Sequence, residues 1–308
     1  MPLFSVVIPL FNKENFIEDT LKSVLSQTFT DFEIIIINDG STDKSGEKVL
    51  AFADSRIRYF SIKNQGVSAA RNFGIARASG KFIAFLDADD YWYPHFLESM
   101  ESMAREFPDK QVFSSAIEVQ IEDSIFEASY SIPRSSRPQV IDFFKGSLGQ
   151  TAIWTSGGCF DTSIFRTVGG FNEDLKTDED IDMWIRIGLR YPVVFNPKVA
   201  ARYNYDPKGL SKDWDSLASK TNFSSYSELE KTNPGLRRYL STHRFSMALK
   251  CKISDQRAEF NRFYRLVNLK DLSRKQRFLI ALPGFVLRKL FDLKLLLHRK
   301  KIRLSAFK

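Results

Sequence analysis

Residues 3 to 90 repeat one unit four times: a short β-branched or aromatic run, then a segment whose apolar residues recur at helical spacing. FSVVIPL (4 to 10) leads into ENFIEDTLKSVLSQ, and FEIIIIND (32 to 39) leads into TDKSGEKVLAFAD. RIRYFSI (56 to 62) leads into VSAARNFGIARAS, and KFIAFLD (81 to 87) leads into PHFLESMESMARE. Strands that alternate with helices are joined by right-handed crossovers, so the expected fold is α/β with a mostly parallel sheet flanked by helices. In open sheets of this kind, ligands bind beyond the carboxyl ends of the strands. Those ends carry Asn12, Asp39, Asn64, and Asp87 with Asp89. Polar groups gather where the topology puts a ligand.

The pattern loosens from about 112 to 205. VFSSAIEVQI and IFEASYSI alternate like a hairpin, and TAIWTSGGCF and VVFNPKVAARYNY also read as strand. A helix is expected between the last two, from about 179 to 190. Past about 215 the strand signal stops, and RAEFNRFYRLVNL and GFVLRKLFDLKLLL read as helices. The expected organisation is an α/β domain over 1–215 and a helical C-terminal region over 216–308.

The net charge of +8 suggests nucleic acid until it is located. Residues 274 to 308 hold eleven Lys or Arg against the single acid Asp292, a local +10 that leaves the other 273 residues at −2. The basicity belongs to a tail, and no nucleic-acid partner is expected. Two cysteines, Cys159 and Cys251, cannot build a disulfide framework or a four-ligand zinc site. FSVVIPLF lacks a basic segment before it, so no signal peptide is expected. No run approaches the ~20 apolar residues of a membrane span.

Three carboxylate groups invite chemistry. Asp87, Asp89 and Asp90 follow a buried-looking strand, where like charges repel and desolvation is costly. All-oxygen ligands two positions apart suit Mg²⁺ or Mn²⁺, while a solvated turn capping the next helix accounts for them equally well. In INDGSTD (37 to 43), Asp39 is placed to accept hydrogen bonds from a ligand, and Ser41 or Thr42 to cap a helix. In TDEDIDMW (177 to 184), acids in a first helical turn follow from the helix dipole, and Thr177 with Asp180 resembles a capping box. A carboxylate held there beside a substrate hydroxyl would also serve as a general base. No glycine-rich phosphate loop, H-E-x-x-H or G-x-S-x-G occurs.

Taken in order, IPLFNKE (8 to 14), INDGSTD (37 to 43), NQGVSAARNFGIARASGKFIAFLDADD (64 to 90) and EDIDMWIR (179 to 186) resemble the family 2 glycosyltransferases with the GT-A fold. The resemblance covers roughly residues 3 to 206 and implies a nucleotide half over about 1–110 and an acceptor half over about 111–215. It implies that Pro9, Phe11, Asp39, Asn64, Arg71 and Asp87 line the donor nucleotide and its diphosphate. It makes Asp89 the direct ligand of a divalent cation, Mn²⁺ or Mg²⁺, and Asp180 the general base with Glu179 beside it. The implied reaction is an inverting transfer of one sugar from a nucleotide-sugar donor, expected to be a UDP-sugar, to a saccharide or lipid-linked saccharide acceptor. The Q-x-x-R-W motif of processive synthases is absent. The alternative reading is a nucleotide-sugar-binding protein of the same fold without turnover; a glycosidase with paired carboxylates would need neither nucleotide nor metal.

The tail is read by itself. Leu, Phe, Ile and Val alternate with Arg and Lys over 274–301, the composition of a helix that lies on an anionic membrane surface or of one whose apolar stripe docks on protein. The expected location is cytoplasmic, peripheral on the inner face of the cell membrane.

Overall fold

A computed structural model describes residues 1–205 and 215–299, with side chains described for 1–205 and 217–293. The chain divides into two compact units, Met1–Pro207 and Lys208–Lys308. The residues bordering the expected boundary, 206–214, and the end of the basic tail, 300–308, lie outside the described residues.

The first unit opens with β1 (Phe4–Leu10), α1 (Ile17–Leu25), β2 (Phe32–Asp39), α2 (Ser45–Leu50), β3 (Ile57–Ile62), α3 (Val67–Arg77) and β4 (Phe82–Phe85). Next come β5 (Tyr91–Trp92), α4 (Phe96–Glu106), β6 (Val112–Ile121), β7 (Ser124–Glu127), β8 (Gln139–Ile141) and α5 (Phe143–Gly146). The unit closes with β9 (Gly158–Asp161), α6 (Ile164–Val168), α7 (Glu179–Gly188) and β10 (Val193–Asn204).

One sheet runs in the order β3-β2-β1-β4-β9-β6-β10-β5, with β7 on β6 and β8 on β10. The four strands of the repeat pair in parallel, as do β6 and β10. Antiparallel pairing enters through the later strands β5, β7, β8 and β9. Every residue of β1 and β2 is buried, so these strands read as near-continuous apolar runs rather than alternations, interrupted by the buried pair Ser5 and Glu33 and ending in Asn38 and Asp39. Helix α3 lies so close to the sheet that a Cβ on Gly74 would stand 2.3 Å from Val7 Cγ1. On α1, Ile17, Leu21 and Val24 share the buried face, and on α4 Phe96, Met100 and Met103 do so. Trp92 stacks on Phe96 with ring centroids 4.0 Å apart.

The less regular half departs from its sequence pattern at three places. The β6–β7 hairpin stops at Glu127. Of TAIWTSGGCF only the last three residues, the start of β9 (Gly158–Asp161), are strand; Thr155–Gly157 forms a 3₁₀ turn instead. Strand β10 shifts register against β6 on both sides of Val199, next to Pro197, which has no N–H to give the ladder.

The second unit is helical: α8 (Ser227–Thr232), α9 (Pro234–Ile253), α10 (Arg257–Tyr264), α11 (Arg274–Ala281) and α12 (Gly284–Arg299). Asn233 caps α9, and Ser273 with Gln276 forms a capping box on α11. Phe245, Leu249, Phe263, Leu279 and Leu287 share one core. Arg244, 1% exposed, is satisfied by both carboxylate oxygens of Glu230 at 2.8 Å. No helix among the described residues is long and apolar enough to cross a membrane.

Candidate active site

The loops after β1 and β2 are laced together. Asn12, at φ 51°, donates its backbone N–H to Ser41 Oγ at 3.1 Å, and its side-chain oxygen accepts from the Thr42 N–H at 2.8 Å. The Lys13 N–H donates to Ser45 Oγ, and the Glu14 N–H to Asp43 Oδ2. Ser41 and Thr42 therefore serve the β1 loop, and α2 starts at Ser45 without a side-chain cap. Pro9 is buried in β1, while Phe11, just past its end, is 45% exposed.

Asp39, 3% exposed, ends β2 and pins the entry to α3. Its carboxylate accepts from the backbone N–H groups of Gln65 and Gly66, both at 2.8 Å. The Asn64 side-chain amide donates to the Asp39 carbonyl at 2.9 Å. Gly40 sits between them at φ 72°, where a Cβ would lie 2.9 Å from the Asn64 nitrogen. The strand ends of β2 and β3 thus form one rigid corner.

The three carboxylates after β4 reach three separate solutions. Asp87 Oδ1 accepts from Arg71 Nη2 at 2.8 Å. Asp89 Oδ2 lies 2.6 Å from Lys13 Nζ. Asp90 is 2% exposed; it accepts from Ser156 Oγ at 2.5 Å and from the Asn204 N–H at 3.0 Å. Burial, with Asp89 and Asp87 adding, holds the Asp90 carboxyl well above the usual range. Burial also raises Asp89, against the pull of Lys13. Asp90 is structural, then, while Asp87 and Asp89 each meet a cationic side chain.

Arg71 carries the link to α7. It is 4% exposed, and its Nη1 donates to Glu179 Oε1 at 2.8 Å while Nη2 holds Asp87. The Phe171 ring lies beneath it, 5.1 Å from the guanidinium carbon. Burial pulls the Arg71 pKa down, but Asp87 and Glu179 more than offset it, so the group stays charged. Helix α7 begins from Asp178 in the left-handed region, φ 64°, without a side-chain cap, so the Thr177–Asp180 capping box does not form. Asp180 is partly buried and accepts from the adjacent Ile181 N–H at 2.8 Å. Burial, then Glu179, pushes its carboxyl up to about 7, against the opposing pull of Arg71.

One guanidinium therefore joins the strand-end Asp87 to the first turn of α7, where Glu179 and Asp180 stand. Asp39 and Asn64 form a second group at the neighbouring corner. Lys13, Ser156 and Asn204 escaped the sequence reading as site residues. Lys13 lay inside a quoted motif, but nothing in the spacing aimed it at Asp89.

Among the described residues no group of three His, Cys, Asp or Glu side chains is arranged to cage an ion. A cation held through Asp89 would complete its shell with water and phosphate oxygens, as Mg²⁺ and Mn²⁺ do in phosphate sites. The oxygen-only donor set fits that role, and the Lys13 ammonium already places a positive charge against Asp89.

The family model for glycosyl transferase family 2 matches residues 5–168. An uncharacterized glycosyltransferase of Rickettsia conorii is 30% identical over 214 residues, covering 68% of this chain and 35% of that protein. The chain thus spans about a third of that relative's length. Residues 1–349 of S. aureus TarS, solved with UDP-GlcNAc, match at TM-score 0.64 and 17% identity, covering 98% of this chain and 95% of that one. The Pyrobaculum calidifontis mannosyltransferase PcManGT, solved with GDP-Man and Mn²⁺, matches at TM-score 0.59 and 16% identity, covering 95% and 87%. At these identities the solved structures speak for the fold: a central sheet flanked by helices, as the resemblance to GT-A enzymes implies.

Proposed function

The chain belongs to glycosyl transferase family 2, and from that premise we propose that it moves one sugar from a UDP-sugar to an acceptor hydroxyl with inversion at the anomeric carbon. The observation that carries this reading is Arg71 bridging Asp87 and Glu179, which ties the donor-side carboxylates to a partly buried base, Asp180, with a pKa near 7. TarS is solved with UDP-GlcNAc and PcManGT with GDP-Man and Mn²⁺, which supports a nucleoside diphospho-sugar as the donor class.

In the reaction, Asp180 takes the proton of the acceptor hydroxyl, and that oxygen bonds to the anomeric carbon from the face opposite the diphosphate. The bond from the anomeric carbon to the diphosphate oxygen breaks, and the nucleoside diphosphate leaves with the electron pair. Asp89 would hold a divalent cation, which when bound would supply neutralisation of the charge on that leaving group. Pro9, Phe11, Asp39 and Asn64 hold the nucleotide, while Arg71 fixes Asp87 and Glu179 rather than reaching past them. Residues from about 111 to 215 receive the acceptor, in assembly of a cell-surface polysaccharide or glycolipid. Transfer is non-processive.

The acceptor lies at a membrane in this reading, with the enzyme on the inner face. Phe278 and Phe285 are 64% and 66% exposed on α11 and α12, among the exposed basic residues Arg274, Lys275, Arg277 and Lys289. Apolar rings amid cations suit an anionic lipid surface.

The test is direct. The enzyme is incubated with UDP- and GDP-sugars and a mixture of lipid-linked saccharides, and both released nucleotide and product are followed by NMR. Transfer with inverted anomeric configuration supports the proposal. Retention would exclude the single displacement, and binding without any transfer or donor hydrolysis would favour a non-catalytic sugar-nucleotide binder.

A further inference from the structure

Next to Arg71 on α3 stands Asn72, whose bonds all run to the segment that leads into α7. Its side-chain oxygen accepts from the Phe171 N–H at 2.7 Å. Its amide nitrogen donates to the Phe171 carbonyl at 2.9 Å and to Glu173 Oε1 at 2.7 Å. One side chain thus grips both main-chain polar groups of Phe171 and uses both of its donors. Gly170 leaves room for it: a Cβ there would stand 2.4 Å from Asn72 Oδ1.

Phe171 is 3% exposed, and its ring touches each element that carries a site residue. It lies 5.1 Å from the Arg71 guanidinium carbon, meets Phe85 of β4 edge-on at 5.3 Å, and meets Trp184 of α7 edge-on at 6.1 Å. Arg71 depends on that support. Its buried Nε has no hydrogen-bond partner among the described residues, and each Nη reaches one carboxylate.

We propose that Asn72 is a positioning residue of the transfer reaction: its clamp on the Phe171 backbone fixes the ring that backs Arg71, and so sets how Asp87 and the α7 carboxylates face each other. This deepens the reading above and rests on it. The consequence falls on Asp180. Arg71 favours its ionised form, while Glu179 and Asp178 beside it disfavour that form. Asp87 and Glu179 share the same guanidinium. A loosened ring lets Arg71 shift, the acids are then less compensated, and Asp180 keeps its proton to higher pH. A clamp that served only the fold would change how much enzyme is active and leave that pH in place.

The experiment follows the acidic limb of kcat and the carbon-13 NMR titration of Asp180, assigned against Asp180→Asn, on the full chain and its variants. Asn72→Ala is expected to raise both by about half a pH unit, so that transfer at pH 6 falls roughly threefold further than at pH 8. Phe171→Leu should raise them as much, and adding Asn72→Ala to it should add nothing more. Glu173→Gln, which leaves both Phe171 bonds in place, should leave limb and titration where they are. An unmoved limb and titration in Asn72→Ala, fully additive shifts in the double variant, or an equal shift in Glu173→Gln overturns the inference and leaves the transfer reading standing. A wild type that transfers no sugar ends that reading, and the Asp180 titration in Asn72→Ala still decides the clamp.

Discussion

Arg71 Nη1 donates to Glu179 Oε1 at 2.8 Å, a buried ion pair between residues 108 positions apart. The same guanidinium holds Asp87 through Nη2. Replacing Arg71 by Met would leave two carboxylates in low dielectric without their cation, a loss of about 3–5 kcal/mol for a buried pair. The midpoint of thermal unfolding should fall clearly, and kcat by at least ~100-fold, since Glu179 and Asp87 lose their fixed geometry. Adding Glu179→Gln to Arg71→Met should recover part of the stability. Strictly additive losses would mean that the pair is not coupled.

Asp180 titrates in the working range. If it is the base, as proposed, it acts only when ionised, so kcat should rise about tenfold per pH unit below pH 7 and level off above it. Glu179 raises the Asp180 pKa, so Glu179→Gln should move that limb to lower pH. Folding reports the same group without substrate. Because the folded pKa of about 7 stands above the unfolded value of 3.8, Asp180 costs stability progressively as pH rises between them. Asp180→Asn should therefore unfold later than wild type at pH 8, by on the order of 2–4 kcal/mol, with the difference vanishing near pH 4. Equal unfolding midpoints at pH 8 would count against a perturbed Asp180.

Asp89 and Asp90 are neighbours with opposite expectations. Asp90 is buried and biased toward its neutral form, so Asp90→Asn should retain most activity. Asp90→Ala, which strands Ser156 Oγ and the Asn204 N–H, should lose about 1–3 kcal/mol of stability. Asp89→Asn should fold normally and lose Mn²⁺ binding. A dead Asp90→Asn beside an active Asp89→Asn would reverse the assignment.

The exposed pair Phe278 and Phe285 offers a separable test of location. Replacing both by Ser should reduce sedimentation with phosphatidylserine vesicles at low salt by about tenfold, with transfer to a soluble acceptor unchanged. Equal sedimentation would argue that these rings serve another surface.

Strands β1, β2 and β4 were legible because residues buried on both faces write themselves as nearly continuous apolar runs, and β3, which is not fully buried anywhere, because of its β-branched and aromatic run IRYFSI. Asp39, Asp87 and Asp89 were legible because the topology puts the ends of such strands together. The second half was less so. The turn Thr155–Gly157 interrupts an apparent strand to bring Ser156 against Asp90, and Pro197 breaks the register of β10. Those are tertiary demands, with no local period to announce them. Long-range pairs were the hardest to foresee: Arg71 with Glu179, and Lys13 with Asp89, each join segments whose spacing in the chain says nothing of their distance in the fold.

The most direct test of the central claim is a thermal-shift panel of UDP-, GDP-, CDP- and dTDP-sugars, with and without Mn²⁺, on wild type and Asp89→Asn. Stabilisation of wild type by the UDP-sugars alone, dependent on Mn²⁺ and lost in Asp89→Asn, is the expected result. No shift with any nucleotide, or a shift indifferent to both the metal and Asp89, would contradict the account.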